Sequence, residues 1–219
     1  MTLISNTYKY IFIHIPKTGG TTFTSGLAKF NTPLDIEIGG TKFGEKLALL
    51  YIEKYGLGKH STALKIKRLV GEKTYADFFS FAFVRNPYER TLSTYSFLKS
   101  WRNWPQSAVM DQFSNIRDFI KSDFFSKKGP DNILEPQYLW VTNEQGDLMV
   151  NQVFKLEESS SIYPKLMDRL GLEYEEGPMF KTLNTSKKST ADIEIIQNDA
   201  EIKEIILKKY KRDFQLFDY

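Results

Sequence analysis

The chain has 219 residues, 41% hydrophobic, 15% aromatic and 26% charged, a length and apolar content that bury a core and exclude a disordered polymer. Its 30 basic and 27 acidic side chains leave a net charge of +3, too mild for a nucleic-acid binder and without the Lys/Arg block that one carries. There are no cysteines, which rules out disulfides and thiolate metal sites, and no apolar run approaches the ~20 residues that span a bilayer as a helix.

Tyr10–Ile15 reads as a buried parallel strand, apolar on both faces. It stops at Pro16 and gives way to Lys17, Thr18, Gly19, Gly20, Thr21 and Thr22. Strand, tight turn and helix start present backbone N–H groups to an anion. The glycines let the backbone approach a phosphate, and Lys17 adds a point charge. The pattern is not a Walker A loop, because Lys17 precedes the glycines. Thr21–Phe30 follows as a helix and Asn31–Gly44 as a loop over one face. Glu45–Tyr55 is a helix stopped by Gly56 and Gly58, and Ser61–Val70 one stopped by Gly71. Of the two histidines, His14 lies inside the first strand as a core residue, and His60 opens the helix at Ser61.

Phe79–Val84 repeats the first strand and ends in Arg85. Pro87 opens the helix Pro87–Ser100, since a proline at the first helical position gives up no hydrogen bond. Ser93 then lies about two turns in, at ~3.6 residues per turn. Trp101–Pro105 closes that helix, Phe113–Ser122 is a shorter one, and Ser126–Pro130 a polar, mobile loop. Leu148–Leu156 is a further strand, Ile162–Leu170 a helix stopped by Gly171, and Asp199–Tyr210 a terminal helix. The alternation predicts an α/β fold in one domain, residues 1–219, with a parallel sheet flanked on both sides by helices.

Pro16-Lys-Thr-Gly-Gly-Thr-Thr22 and Val84-Arg-Asn-Pro-Tyr-Glu-Arg-Thr-Leu-Ser93 resemble the 5′-phosphosulfate loop and the 3′-phosphate motif of sulfotransferases. The likeness is closest to the carbohydrate branch, which includes heparan sulfate 2-O-sulfotransferases and small bacterial relatives. It implies a P-loop-like three-layer domain. The donor it implies is 3′-phosphoadenosine 5′-phosphosulfate (PAPS), with the bisphosphate PAP as product, no metal, and a carbohydrate hydroxyl as acceptor. On this resemblance Lys17 neutralises the departing 5′-phosphate, and Thr18, Gly19, Gly20, Thr21 and Thr22 supply backbone and hydroxyl donors. Arg85 and Ser93 grip the 3′-phosphate. Arg90 either joins them or forms a salt bridge on the solvent face of its helix.

Lys59-His-Ser-Thr-Ala63 is similar to a run in bacterial relatives whose histidine deprotonates the acceptor, which makes His60 the general base. Failing that, the base is a carboxylate, with Glu53, Glu89, Asp111 and Glu135 the candidates. Glu135-Pro-Gln-Tyr-Leu-Trp140 and Gln152-Val-Phe-Lys-Leu-Glu157 resemble the family's middle motifs, with Gln137 facing the acceptor. Leu183-Asn-Thr-Ser-Lys-Lys188 resembles its late loop, where Ser186 and Lys187 either reach the nucleotide or are solvated. Tyr210 to Tyr219 resembles its carboxyl-terminal pattern. Tyr88 and Glu89 stand where many relatives have tryptophan and aspartate, and Thr22 where serine is common. Trp101, Trp104 and Trp140 pack in the core or stack on a ring. The expected protein is soluble, cytoplasmic and bacterial, with no nucleic-acid partner. The rival readings are a P-loop-type nucleotide kinase and a non-catalytic PAP/PAPS-binding module.

Overall fold

Short apolar runs, too brief to be helices, set the sheet. The computed structural model describes residues 1–173, 175 and 188–219. Strands β1 (Thr2–Ser5), β2 (Tyr10–Ile13), β3 (Ile36–Ile38), β4 (Phe79–Val84) and β5 (Gln152–Lys155) pair in the order β3-β1-β2-β4-β5. The helices before the middle of the chain are α1 (Gly20–Leu27), α2 (Lys42–Tyr55), α3 (Ala63–Val70), α4 (Glu72–Asp77) and α5 (Pro87–Ser100). After them come α6 (Ile116–Lys121), α7 (Asp123–Ser126), α8 (Tyr138–Val141), α9 (Ser159–Arg169), α10 (Thr190–Asn198), α11 (Ala200–Lys209) and α12 (Lys211–Leu216). Two compact units result, one of Met1–Val84 and Leu139–Leu183, the other of Arg85–Tyr138 and Asn184–Tyr219.

The first unit holds the sheet. β2 runs parallel to β4, with Ile13 opposite Ala82, and β4 parallel to β5, with Phe83 opposite Phe154. β1 is antiparallel to both β2 and β3. The expected parallel sheet is therefore parallel over β2, β4 and β5 and antiparallel at β1 and β3. The cause is the turn at Asn6–Lys9, since a parallel crossover needs a dozen residues or more and a tight turn reverses the chain. β3 lies inside the stretch expected to be a loop. Its three residues are too few to show alternation, and it is held by pairing with Leu3 and its neighbours.

Alternation along the strands decides what each face buries. Leu3, Phe12, Phe81 and Phe83 meet Phe23 and Leu27 of α1 and Tyr163, Leu166 and Met167 of α9. Phe12 and Phe23 pack edge to face with centroids 5.0 Å apart, a geometry worth about 0.5–1.5 kcal/mol beyond burial. On the other face Ile4 and Ile36 line a cleft with Tyr51 and Tyr55 of α2, Leu69 and Val70 of α3 and Thr74 of α4. The first unit is thus three layers, helices on both sides of a mixed sheet. α4 goes beyond the expected stop at Gly71, which ends α3 and then precedes α4 directly.

The second unit is helical. Asn86 caps α5 by accepting the Tyr88 N–H at 3.0 Å, and Pro87 takes the first position. Leu92, Tyr95 and Leu98 of α5 pack with Phe119 of α6 and with Ile202 and Ile206 of α11. α10 and α12 were not expected. No helix among the described residues is long and apolar enough to cross a membrane.

Candidate functional site

β2 and β4 are adjacent and parallel, so both end at the same edge of the sheet, the edge outside which open α/β sheets bind their ligands. Beyond β2 the loop takes two left-handed turns in three residues. Lys17 has φ 67° and Gly19 φ 78°. A positive φ suits glycine and costs a residue with a Cβ about 1–3 kcal/mol. Gly19 is also the N-cap of α1 and has no side chain with which to cap it. The Gly20 and Thr21 amides come ahead of the first intrahelical bond, from Phe23 N–H to Gly19 C=O at 3.2 Å. Backbone donors at a helix N-terminus with a lysine alongside fit a phosphate or phosphosulfate group.

Three residues of this loop are also tied to their own surroundings. Thr18 is fully buried and its hydroxyl donates to the Ile15 carbonyl at 2.9 Å, so this side chain braces the turn. Gly20 is needed for packing, because a Cβ there would overlap the His14 imidazole. A Cβ on Gly19 would crowd the Leu156 side chain. Thr21 is exposed and Thr22 buried at the start of α1.

His60 is half-buried in the turn before α3. Its Nδ1 lies 3.1 Å from the His14 carbonyl oxygen. A carbonyl only accepts, so Nδ1 carries the hydrogen and the neutral ring has its basic lone pair on Nε2. The His14 and His60 rings are 4.5 Å apart between centroids. Burial first, and the positive charges nearby second, push His14 well below the ordinary histidine range. Trp140, buried in the first unit, donates its indole N–H to the His60 carbonyl at 3.0 Å. Ser61 Oγ accepts the Gly58 N–H at 2.9 Å, and Thr2 donates to the Gly58 carbonyl at 2.9 Å. The turn that carries His60 is therefore held from both sides. Trp140 is a tryptophan whose polar atom, not its ring face, does the positioning.

In the second unit Arg85 donates from Nη2 to Glu89 Oε2 at 3.4 Å, and Lys188 Nζ donates to the same oxygen at 2.7 Å. Burial raises the Glu89 carboxyl, and the Lys188 and Arg85 contacts outweigh it to hold the carboxyl below its ordinary range. Two cations thus converge on one anion. Ser93, buried one turn beyond Glu89 on α5, shares its helix face. This set suits a phosphate, with a planar guanidinium, an ammonium and a hydroxyl as donors.

Two residues depart from expectation. Arg90 is not on a solvent face. It is 2% exposed and donates to the Glu135 and Ile133 carbonyls, both at 3.0 Å. Gln137 is fully buried, and its amide is bound to the Arg85 backbone, so it does not face an acceptor. Ser186 and Lys187 lie outside the described residues. The alternative bases Glu53 and Asp111 are exposed, with Asp111 paired to Arg102 at 2.8 Å.

A family model described as the sulfotransferase family matches residues 1–219. The chain belongs to the sulfotransferase family. No curated protein and no solved structure matches it. As a sulfotransferase it moves a sulfuryl group to a hydroxyl-bearing acceptor. Among the described residues no group of three or more His, Cys, Asp or Glu is placed to hold a metal ion.

Proposed function

We propose that this sulfotransferase takes the sulfuryl group from PAPS and passes it to a carbohydrate hydroxyl, as in the heparan sulfate 2-O branch and its small bacterial relatives. In this reading residues 1–219 are one cytoplasmic sulfotransferase domain of P-loop-like architecture. When bound, PAPS supplies a sulfur whose bond to the 5′-phosphate oxygen breaks as the acceptor oxygen bonds to it. His60 Nε2 receives the acceptor proton. Lys17, with the amides of Gly19, Gly20, Thr21 and Thr22, stabilises charge on the departing 5′-phosphate. Arg85, Ser93 and Lys188 hold the 3′-phosphate, and Ser186 and Lys187 belong to the same nucleotide loop.

The observation that carries the reading is the double role of His14. Its carbonyl accepts from His60 Nδ1 and its ring fills the space over Gly20. The base and the phosphate loop are therefore built against one residue of the first unit. A kinase lacks this arrangement's logic, because its lysine would follow the glycines.

The test is PAP release from PAPS in the presence of a polysaccharide acceptor. Lys17→Ala is expected to lose turnover with the fold intact. His60→Ala is expected to lose about 10²–10⁴-fold while still binding PAP. Turnover that survives both substitutions would overturn the assigned roles.

A further inference from the structure

Arg85 stands between two regular elements and belongs to neither. β4 ends at Val84, and α5 begins at Pro87. Its half-buried backbone N–H and C=O therefore need partners other than a ladder or a helix. One side chain provides for both. Gln137 Oε1 accepts the Arg85 N–H at 2.9 Å, and Gln137 Nε2 donates to the Arg85 carbonyl at 2.8 Å. Gln137 is itself fully buried and Arg85 half-buried, so this amide pair meets less competition from water than an open loop would.

Gln137 is held in turn. Its N–H and that of Tyr138 donate to the two oxygens of Asp213 of α12, at 2.8 and 2.9 Å. Arg90 of α5 grips the carbonyls of Ile133 and Glu135, and the Tyr210 hydroxyl donates to that of Leu134 at 3.1 Å. Arg90, Tyr210 and Asp213 are all buried. The segment 133–138 is thus fixed by side chains from three points of the second unit, and its inward product is the clamp on Arg85.

We propose that Gln137 is a positioning residue for 3′-phosphate recognition, fixing the backbone of Arg85 so that its guanidinium points at the phosphate. This rests on the reading of Arg85 as the 3′-phosphate ligand. The Arg85–Glu89 pair restrains only the end of a flexible side chain, whereas the two-point grip sets where its Cβ starts. Met in place of Gln137 keeps the volume and removes both hydrogen bonds. Glu keeps the acceptor and loses the donor.

The experiment compares the affinities for adenosine 3′,5′-bisphosphate and adenosine 5′-monophosphate by calorimetry, beside thermal melting of each variant. Wild type is expected to prefer the bisphosphate, and Arg85→Ala to mark the value when that preference is gone. Gln137→Met is expected to lose about tenfold or more of the preference, with monophosphate affinity unchanged. A merely structural role would lower melting temperature and weaken both ligands alike. A folded Gln137→Met with wild-type preference overturns the proposal. If that variant does not fold, Gln137→Glu carries the same comparison. Hydrogen exchange at the Arg85 amide of wild type reads the clamp directly, and exchange at the rate of an open loop also overturns it. Wild type that fails to distinguish the two nucleotides removes instead the 3′-phosphate reading of Arg85, and the proposal with it.

Discussion

Lys17 keeps a positive φ where glycine would be the ordinary choice, so its side chain holds that place against a backbone cost. Lys17→Gly is therefore expected to raise stability, by about 1 kcal/mol after glycine's own entropic cost of about 0.5–1 kcal/mol, while abolishing turnover. Urea unfolding and an activity assay on one preparation check both, and a less stable variant would contradict the strain. His14 gives the pH dependence its sign. The unfolded chain binds a proton near pH 6.5, whereas the buried ring resists it to well below that value. The stability His14 contributes is thus present above pH 6.5 and lost as pH falls, by up to about 1.4 kcal/mol per unit until the folded ring itself titrates. Unfolding at pH 7 and pH 5 should show that loss in wild type and a shallower slope in His14→Asn. Equal slopes would mean that His14 titrates alike in both states.

β2 meets α1 where the His14 ring occupies the space a Cβ on Gly20 would need. Gly20→Ala is expected to cost about 1–3 kcal/mol by overpacking, and much less in a His14→Ala background. The cycle should give a coupling within about 0.5–3 kcal/mol, and additive effects would show that the two elements do not compete for that volume. Elements were legible in the sequence where a local signal marked their ends. β4 and α5 match residue for residue the expected Phe79–Val84 and Pro87–Ser100, because Arg85 breaks the apolar run and Pro87 opens a helix. Elements that were not read include β1, β3, α4, α10 and α12. The strands are three or four residues long, and the helices abut others with only Gly71, Asp199 or Tyr210 between. The candidate site divides the same way. Lys17, His60 and Arg85 announce themselves by residue type beside a strand end or a turn. The burial of Arg90 and the clamp of Gln137 depend on partners 43 to 52 residues away, and no local pattern records such a partner.

For the whole molecule, the sulfotransferase family match covers every residue of both units. The first unit carries the Lys17 loop and His60 on a mixed sheet, and the second carries Arg85, Ser93 and Lys188 on a helical core. The expected parallel sheet holds across β2, β4 and β5, and the pairings of β1 with β2 and β3 are antiparallel because a four-residue turn at Asn6–Lys9 reverses the chain before any crossover can form. The strands that lead to the site were unaffected, because β2 and β4 are the parallel pair. The central claim is that this chain recognises a nucleotide with phosphates at both its 3′ and 5′ positions. The most direct test is calorimetric titration of the wild-type chain with adenosine 3′,5′-bisphosphate, beside ATP with magnesium. Tight binding of the bisphosphate and little response to magnesium-ATP is the expected result. Preference for magnesium-ATP would contradict it and make the two phosphate-binding segments those of a kinase.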